Sequence, residues 1–127
     1  MSFVSKSFFS FLLFVWVCGA MMAESITSPN GNLHLDFTVN AQGEPVYQLI
    51  YKGKAVVKPS KLGLELKDDP GLMSNFTLTG TETSTFDETW KPVWGEVAQI
   101  RNHYNELVVT LEQKAQNRNM IIRFRLY

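Results

Sequence analysis

Apolar side chains in this chain recur at every second position, and no other feature restricts its possible folds as much. In NLHLDFTVN, Leu33, Leu35, Phe37 and Val39 fall on one side of an extended backbone and His34, Asp36 and Thr38 on the other. That is the pattern of a strand with one buried face. ELVVTLEQK repeats it through Leu107, Val109 and Leu111, and MIIRFRLY through Met120, Ile122, Phe124 and Leu126, with AQNRN as the loop between them. KLGLEL sets Leu62, Leu64 and Leu66 on a common face, while NFTLTGTET alternates more weakly. No segment after residue 23 carries an i, i+3, i+4 apolar stripe, so a helix would have no face to bury.

Turn chemistry separates these runs. Asn30-Gly31 precedes the first, AQGEP (Ala41 to Pro45) follows it, and KDDPG (Lys67 to Gly71) ends KLGLEL. VYQLIY and KAVV flank Lys52-Gly53 and predict a tight hairpin, although the favoured Asn-Gly pair is missing. The expected fold is all-β, an antiparallel β-sandwich. At 127 residues the chain has room for one core. The alternation is still running at Tyr127, with no turn or polar tail after it. The sandwich is therefore expected to be incomplete at its C-terminus.

Residues 1–23 form a different unit. One lysine (Lys6), an apolar run from Phe8 to Val17 and then small residues have the layout of a secretory signal peptide. The run is about half the roughly 20 residues that a membrane-spanning helix needs, so no stable membrane span is expected. Cleavage after Ala20 and after Ala23 both fit, leaving residues 24–127 as the exported domain. Lipidation of Cys18 would make a lipoprotein, but bulky Val15, Trp16 and Val17 stand where a lipoprotein peptidase needs small residues. Cys18 is the single cysteine. The exported part therefore has no disulfide, which suits a periplasmic location.

Twelve basic side chains balance twelve acidic ones. Without a cationic run there is no patch to neutralise phosphates, and nucleic acid is excluded as a partner. Gly-rich phosphate loops, Gly-x-Ser-x-Gly, His-Glu-x-x-His and EF-hand spacing are all absent. Asp68 and Asp69 read as turn residues, the sequon at Asn75-Phe76-Thr77 as incidental, and His34 as a solvated residue on the polar side of its strand.

ETWKPVWGEVAQIRNHYNEL, Glu88 to Leu107, concentrates the remaining chemistry. Asp87, Glu88, Glu96 and Glu106 have the chemistry of a glycosidase's two acids. Asp87 and Glu88, as sequence neighbours, point to opposite sides of an extended chain and cannot form such a pair with each other. Surface carboxylates are the simpler reading of all four. Pro92 between Trp90 and Trp94 rules out an ordinary central strand or helix. The two indoles fit either sugar stacking or, more commonly, plugs of a core. Arg101, Asn102, His103, Tyr104 and Asn105 are five polar or amphipathic residues in a row. They predict an irregular segment facing a neighbouring surface, or a hydrogen-bonded corner.

SPNGNLHLDFTVNAQGEPVYQLIYKGKAVVKPSKLGLEL, then TFDETWKPVWGEVAQIRNHYNELVVTL and IIRFRLY, closely resembles the start of glycoside hydrolase family 97. WKPVWGE and IRNHYNEL are the most specific part of that resemblance, which runs from about Ser28 to Tyr127. It implies an exported α-glucosidase or α-galactosidase that opens with a galactose-mutarotase-like super-sandwich and continues into a catalytic (β/α)8 barrel. It also implies calcium in the parent enzyme, with the ligands and the catalytic acids outside this chain, so no catalytic or metal residue is assigned here. What it leaves to this chain is contact with the barrel or with an oligosaccharide substrate. The candidates for that contact are Trp90, Trp94, Glu96, Arg101, Asn102, His103, Tyr104 and Asn105. By itself the chain is expected to be inactive. The alternatives are a stand-alone carbohydrate-binding sandwich acting through Trp90 and Trp94, and a surface lipoprotein used for protein contacts.

Overall fold

The computed structural model of the chain describes residues 23–127. The apolar run of the expected leader and Cys18 lie outside the described residues. Strands β1 (Ala23–Thr27), β2 (Leu33–Val39), β3 (Pro45–Tyr51) and β4 (Lys54–Lys61) form a four-stranded antiparallel meander. Strands β5 (Thr77–Trp90), β6 (Ile100–Gln113) and β7 (Arg118–Leu126) form a three-stranded one. The described part is an antiparallel β-sandwich of these two sheets, as the alternation requires.

Each short turn is held by local bonds. Ser28 Oγ accepts the Leu33 amide at 3.0 Å, and Asn40 Oδ1 accepts those of Gln42 and Glu44 at 3.0 and 2.9 Å. Between β3 and β4, Lys52 (φ 48°) and Gly53 (φ 78°) both take positive φ. This is the handedness that suits the twist of the strands they join, and Lys52 accepts the strain that an Asn-Gly pair would have avoided. Asn117 (φ 49°) closes a 3₁₀ turn, Lys114–Gln116, before β7.

The core forms where the alternating faces meet. Phe37, Leu107, Val109 and Leu111 are fully buried, with Ile26, Leu35, Phe76 and Leu126 around them. Leu33, Val39, Met120, Ile122 and Phe124 pack against that cluster, so the three strongest sequence patterns place their apolar faces as predicted. Phe124 lies beneath Phe37 of β2 at 5.7 Å and Tyr47 of β3 at 6.3 Å between ring centroids.

KLGLEL departs from expectation. Of its three leucines, Leu62 packs on the core, whereas Leu64 and Leu66 are exposed. β4 ends at Lys61, and Leu64 turns back to exchange two backbone bonds with Leu72, 3.1 and 2.7 Å. Gly63 permits the close approach, since a Cβ there would meet Leu72 O at 2.7 Å. The returning loop is tied to the body by Gln113, which donates to Ser74 O at 2.8 Å and Gly71 O at 3.3 Å, and by Arg118 to Asp69 at 2.8 Å. Alternation without an opposing layer does not bury a face.

Leu111→Ala is expected to lower unfolding free energy by about 2–5 kcal/mol in urea titration, because it opens a cavity in a closed part of the core. Leu64→Ala, at a side chain already in water, should stay within about 0.5 kcal/mol.

Candidate functional site

β5 and β6 run together for most of their length, but β7 joins β6 only from Asn105 onward. Beyond Asn105 the pair continues as a two-stranded ribbon, Trp90 pairing with Ile100, Thr89 with Arg101, Glu88 with Asn102, Asp87 with His103 and Phe86 with Tyr104. Arg101–Asn105 is thus regular strand, which corrects the irregular segment or corner predicted for it. The reason is physical: alternation is imposed by a core, and a ribbon with water on both sides accepts polar residues at every position.

Pairing distributes the candidates over two faces. Arg101, His103 and Asn105 continue the face of Leu107, Val109 and Leu111. Asn102 and Tyr104 share the outer face with Glu88, Trp90 and Glu106, while Trp94 and Glu96 belong to the connection at residues 91–99. The eight candidates are therefore not one constellation.

On the inner face, Arg101 grips Asp87 in a two-pronged pair, Nε to Oδ1 at 2.8 Å and Nη2 to Oδ2 at 2.7 Å. The guanidinium holds the Asp87 carboxyl below its ordinary range, and the carboxylate raises Arg101 in return. His103 and Arg101 line an open recess of about 290 Å³ with Pro29, Asn30 and Tyr127. Asn105 accepts from Thr85 Oγ1 at 2.8 Å and donates to Thr27 O at 2.7 Å, a bond between the two sheets across 78 positions of sequence. Asn105 is a tie within the sandwich, and nothing in its neighbours' spacing could have shown its partner.

The outer face carries a cluster that the sequence did not reveal. Phe86 and Tyr104 stack at 5.2 Å, Tyr127 tilts against Tyr104 at 5.2 Å, and the Arg125 guanidinium covers Tyr104 at 4.9 Å. Arg125 Nε also donates to Glu106 Oε2 at 2.6 Å, and Arg123 Nη1 stands 3.5 Å from Oε1. Glu106 is thus held by two arginines, and Asp87 by one on the opposite face. Neither carboxylate is free to act as an acid–base group.

The ribbon's end is apolar and bare. Val93 is 98 % exposed, Trp94 90 % and Trp90 48 %, with Val97 and Ile100 also exposed. Core plugs, the commoner reading of the two indoles, is therefore wrong for both. Trp90 ends β5 on the outer face of the ribbon, past the last core residue, and Trp94 lies in the connection beyond it, so neither ring reaches the interior. Among the described residues no three His, Cys, Asp or Glu side chains come together to hold a metal ion. Among the described residues no helix is long and apolar enough to cross a membrane.

The profile of a family described as Glycosyl-hydrolase 97 N-terminal matches residues 26–127. A retaining alpha-galactosidase of Bacteroides thetaiotaomicron is 26% identical over 125 residues, covering 91% of this chain and 19% of the relative. A glycoside hydrolase family 97 enzyme from Pseudoalteromonas sp. strain K8, solved in complex with panose and with acarbose, superimposes with a TM-score of 0.74 at 26% identity. The match covers 82% of this chain and 16% of that one. The crystal structure of a beta-arabinopyranosidase matches with a TM-score of 0.70 at 25% identity, covering 81% and 16%. The chain spans less than a fifth of the length of each of these proteins.

Asn105→Ala should cost about 1–2 kcal/mol in urea unfolding by leaving the Thr27 carbonyl without its partner; Trp94→Ala should leave the same transition in place. The pKa values of Glu44, Asp69 and Asp87 are lowered by bonds to Lys61, Arg118 and Arg101. Groups depressed on folding stabilise above their unfolded pKa and lose that contribution as pH falls through the folded value. Melting temperature should accordingly hold from neutral pH down to about 4 and decline below it. Asp87→Asn should flatten that decline.

Proposed function

The chain belongs to the Glycosyl-hydrolase 97 N-terminal family, and on that premise we propose that it is the opening sandwich of an exported glycoside hydrolase acting on terminal α-linked glucose or galactose. In this reading it performs no chemistry. Its place is to seat the catalytic (β/α)8 barrel and complete the barrel's active-site face. The cleavage uses a general acid and a second carboxylate, both supplied by the barrel, as is calcium. The leader within residues 1–23 directs the chain to the periplasm and is removed by cleavage after Ala20 or Ala23.

One observation carries the reading: an apolar end, Val93 and Trp94, stands almost wholly in water on a ribbon that leaves the sandwich. Exposed apolar clusters of this kind mark contact surfaces, and tryptophan with arginine is the usual pairing of residues that anchor one. Trp94 is the anchor, Trp90 and Glu96 flank it, and Arg101, locked by Asp87, keeps the ribbon straight behind it. The names of the relatives, a galactosidase and an enzyme solved with panose and acarbose, support an oligosaccharide substrate for the whole enzyme.

In the full enzyme, Trp94→Ala should weaken seating of the barrel by about 2 kcal/mol or more, the usual effect of truncating a buried tryptophan anchor. Differential scanning calorimetry would show the sandwich melting apart from the barrel, and turnover would fall. Arg101→Ala should act in the same direction, more weakly. Unchanged melting and unchanged turnover in both variants would remove the proposal.

A further inference from the structure

The inner side of the β5–β6 pair is apolar over only part of its area. Leu107, Val109 and Leu111 of β6 close the core, but the strand beside them turns Thr81, Thr83, Thr85 and Asp87 to that same side, and β6 continues it with Asn105, His103 and Arg101. All four of the β5 residues are exposed. Covering them with an apolar layer would strip water from three hydroxyls and an ion pair. The residue types themselves therefore mark this surface as a wet one.

Two open recesses lie along it. One, of about 440 Å³, opens between β1 and β5, with Ser25, Thr27, Thr83, Thr85 and Asn105 around it. The other is the recess of about 290 Å³ beside Arg101 and His103, with Asn30 of the β1–β2 turn in its wall. Asn105 and His103 stand two positions apart on the same face of β6, about 7 Å. The recesses thus follow one another as a trough, with β1 and its turn on one side and the β5–β6 pair on the other. Their volumes suit a small ligand, for which sites of roughly 300–1,000 Å³ are usual.

The lining selects that ligand's chemistry. Small-molecule sites are mostly apolar with a few polar groups, whereas Ile26 is the one apolar side chain at the larger recess. An apolar ligand would leave the hydroxyls there unpaired. A charged ligand gains little, because Asp87 and Arg101 neutralise each other through two bonds of 2.8 and 2.7 Å. The rest of the polar lining is hydroxyl, carboxamide and imidazole, groups that both donate and accept. Their complement is a neutral molecule carrying many hydroxyls. Thr85 is already bonded to Asn105, and Thr27 to His34, so among the described residues Thr83, Ser25 and His103 are the groups left to meet it.

We propose that this trough binds a neutral oligosaccharide, with Thr83 contacting it in the larger recess and His103 in the smaller. The smaller recess lies on the ribbon that ends at Trp94, so a sugar chain in the trough points toward the face that seats the barrel. For that direction, though not for the chemistry, the inference rests on the reading of the chain as the opening sandwich of a glycoside hydrolase.

The test uses this chain, which holds no catalytic barrel to bind sugar on its own account. Amide NMR spectra are followed during titration with maltoheptaose and with stachyose, neutral chains rich in α-linked glucose and α-linked galactose. At least one of the two should bind with a millimolar dissociation constant, moving the signals of Thr83, Thr85, Arg101 and His103. Thr83→Val keeps a β-branched side chain at an exposed strand position and removes only the hydroxyl; it should weaken binding about five-fold, the usual effect of losing one neutral hydrogen bond. His103→Ala should act to a similar extent. Binding of neither sugar, shifts confined to residues 91–99, an affinity indifferent to both substitutions, or tighter binding of an oligogalacturonate than of either neutral chain would overturn the proposal. None of these readouts involves turnover or the seating of the barrel, so they stand or fall separately from the Trp94 experiment.

Discussion

The structure depends on one contact, the closure of the inner faces of β6 and β7 over those of β1 and β2. Leu107, Val109 and Leu111 have no exposure, and neither has Phe37 in the same core. Burying an apolar side chain of this size contributes roughly 1.5–3 kcal/mol, so these few residues supply much of what holds two small sheets together. No disulfide is available to assist, since the one cysteine lies at position 18 in the leader-like segment. The remaining contacts are located by this one: β7 brings Phe124 under the same ring of Phe37, and Gln113, at the end of β6, holds the loop that returns from β4.

That contact also explains where function-bearing surface arises. β6 is longer than the core it builds. Its second half is covered on the inner side; its first residues, Ile100 to Tyr104, extend past the last core residue and are strand-paired with β5 alone. Water on both faces relieves that half of the need to alternate, and the chain uses the freedom for Asp87–Arg101, His103 and an apolar end at Val93 and Trp94.

Legibility followed burial. Leu35, Phe37, Leu107, Val109 and Leu111 were readable because a strand with one wet face must alternate, and they do. The hairpin at Lys52-Gly53 was readable from its position between two such runs, even without the favoured turn pair. Leu64 and Leu66 show the converse, because a common face in sequence has meaning only if a layer comes to cover it, and Gly63 turns the chain away first. Trp90 and Trp94 misled for a related reason. Large aromatic rings usually fill cores, yet Trp90 lies on the ribbon past the last core residue and Trp94 on the connection beyond it. Of the candidate contact residues, Arg101 could be suspected from its neighbours, but its bond to Asp87 requires knowing that Thr89 pairs with Arg101.

Period-two spacing and turn residues determined by themselves that this chain makes antiparallel strands with one apolar side, and the motifs WKPVWGE and IRNHYNEL pointed to its family. These are local properties: side-chain direction alternates along any extended backbone, and a motif is read where it stands. Tertiary structure alone decided which faces found a partner and that Asn105 joins the sheets through Thr27. Register and layer overlap bring together residues as far apart as 78 positions, and the geometry that does so is set by how whole sheets pack.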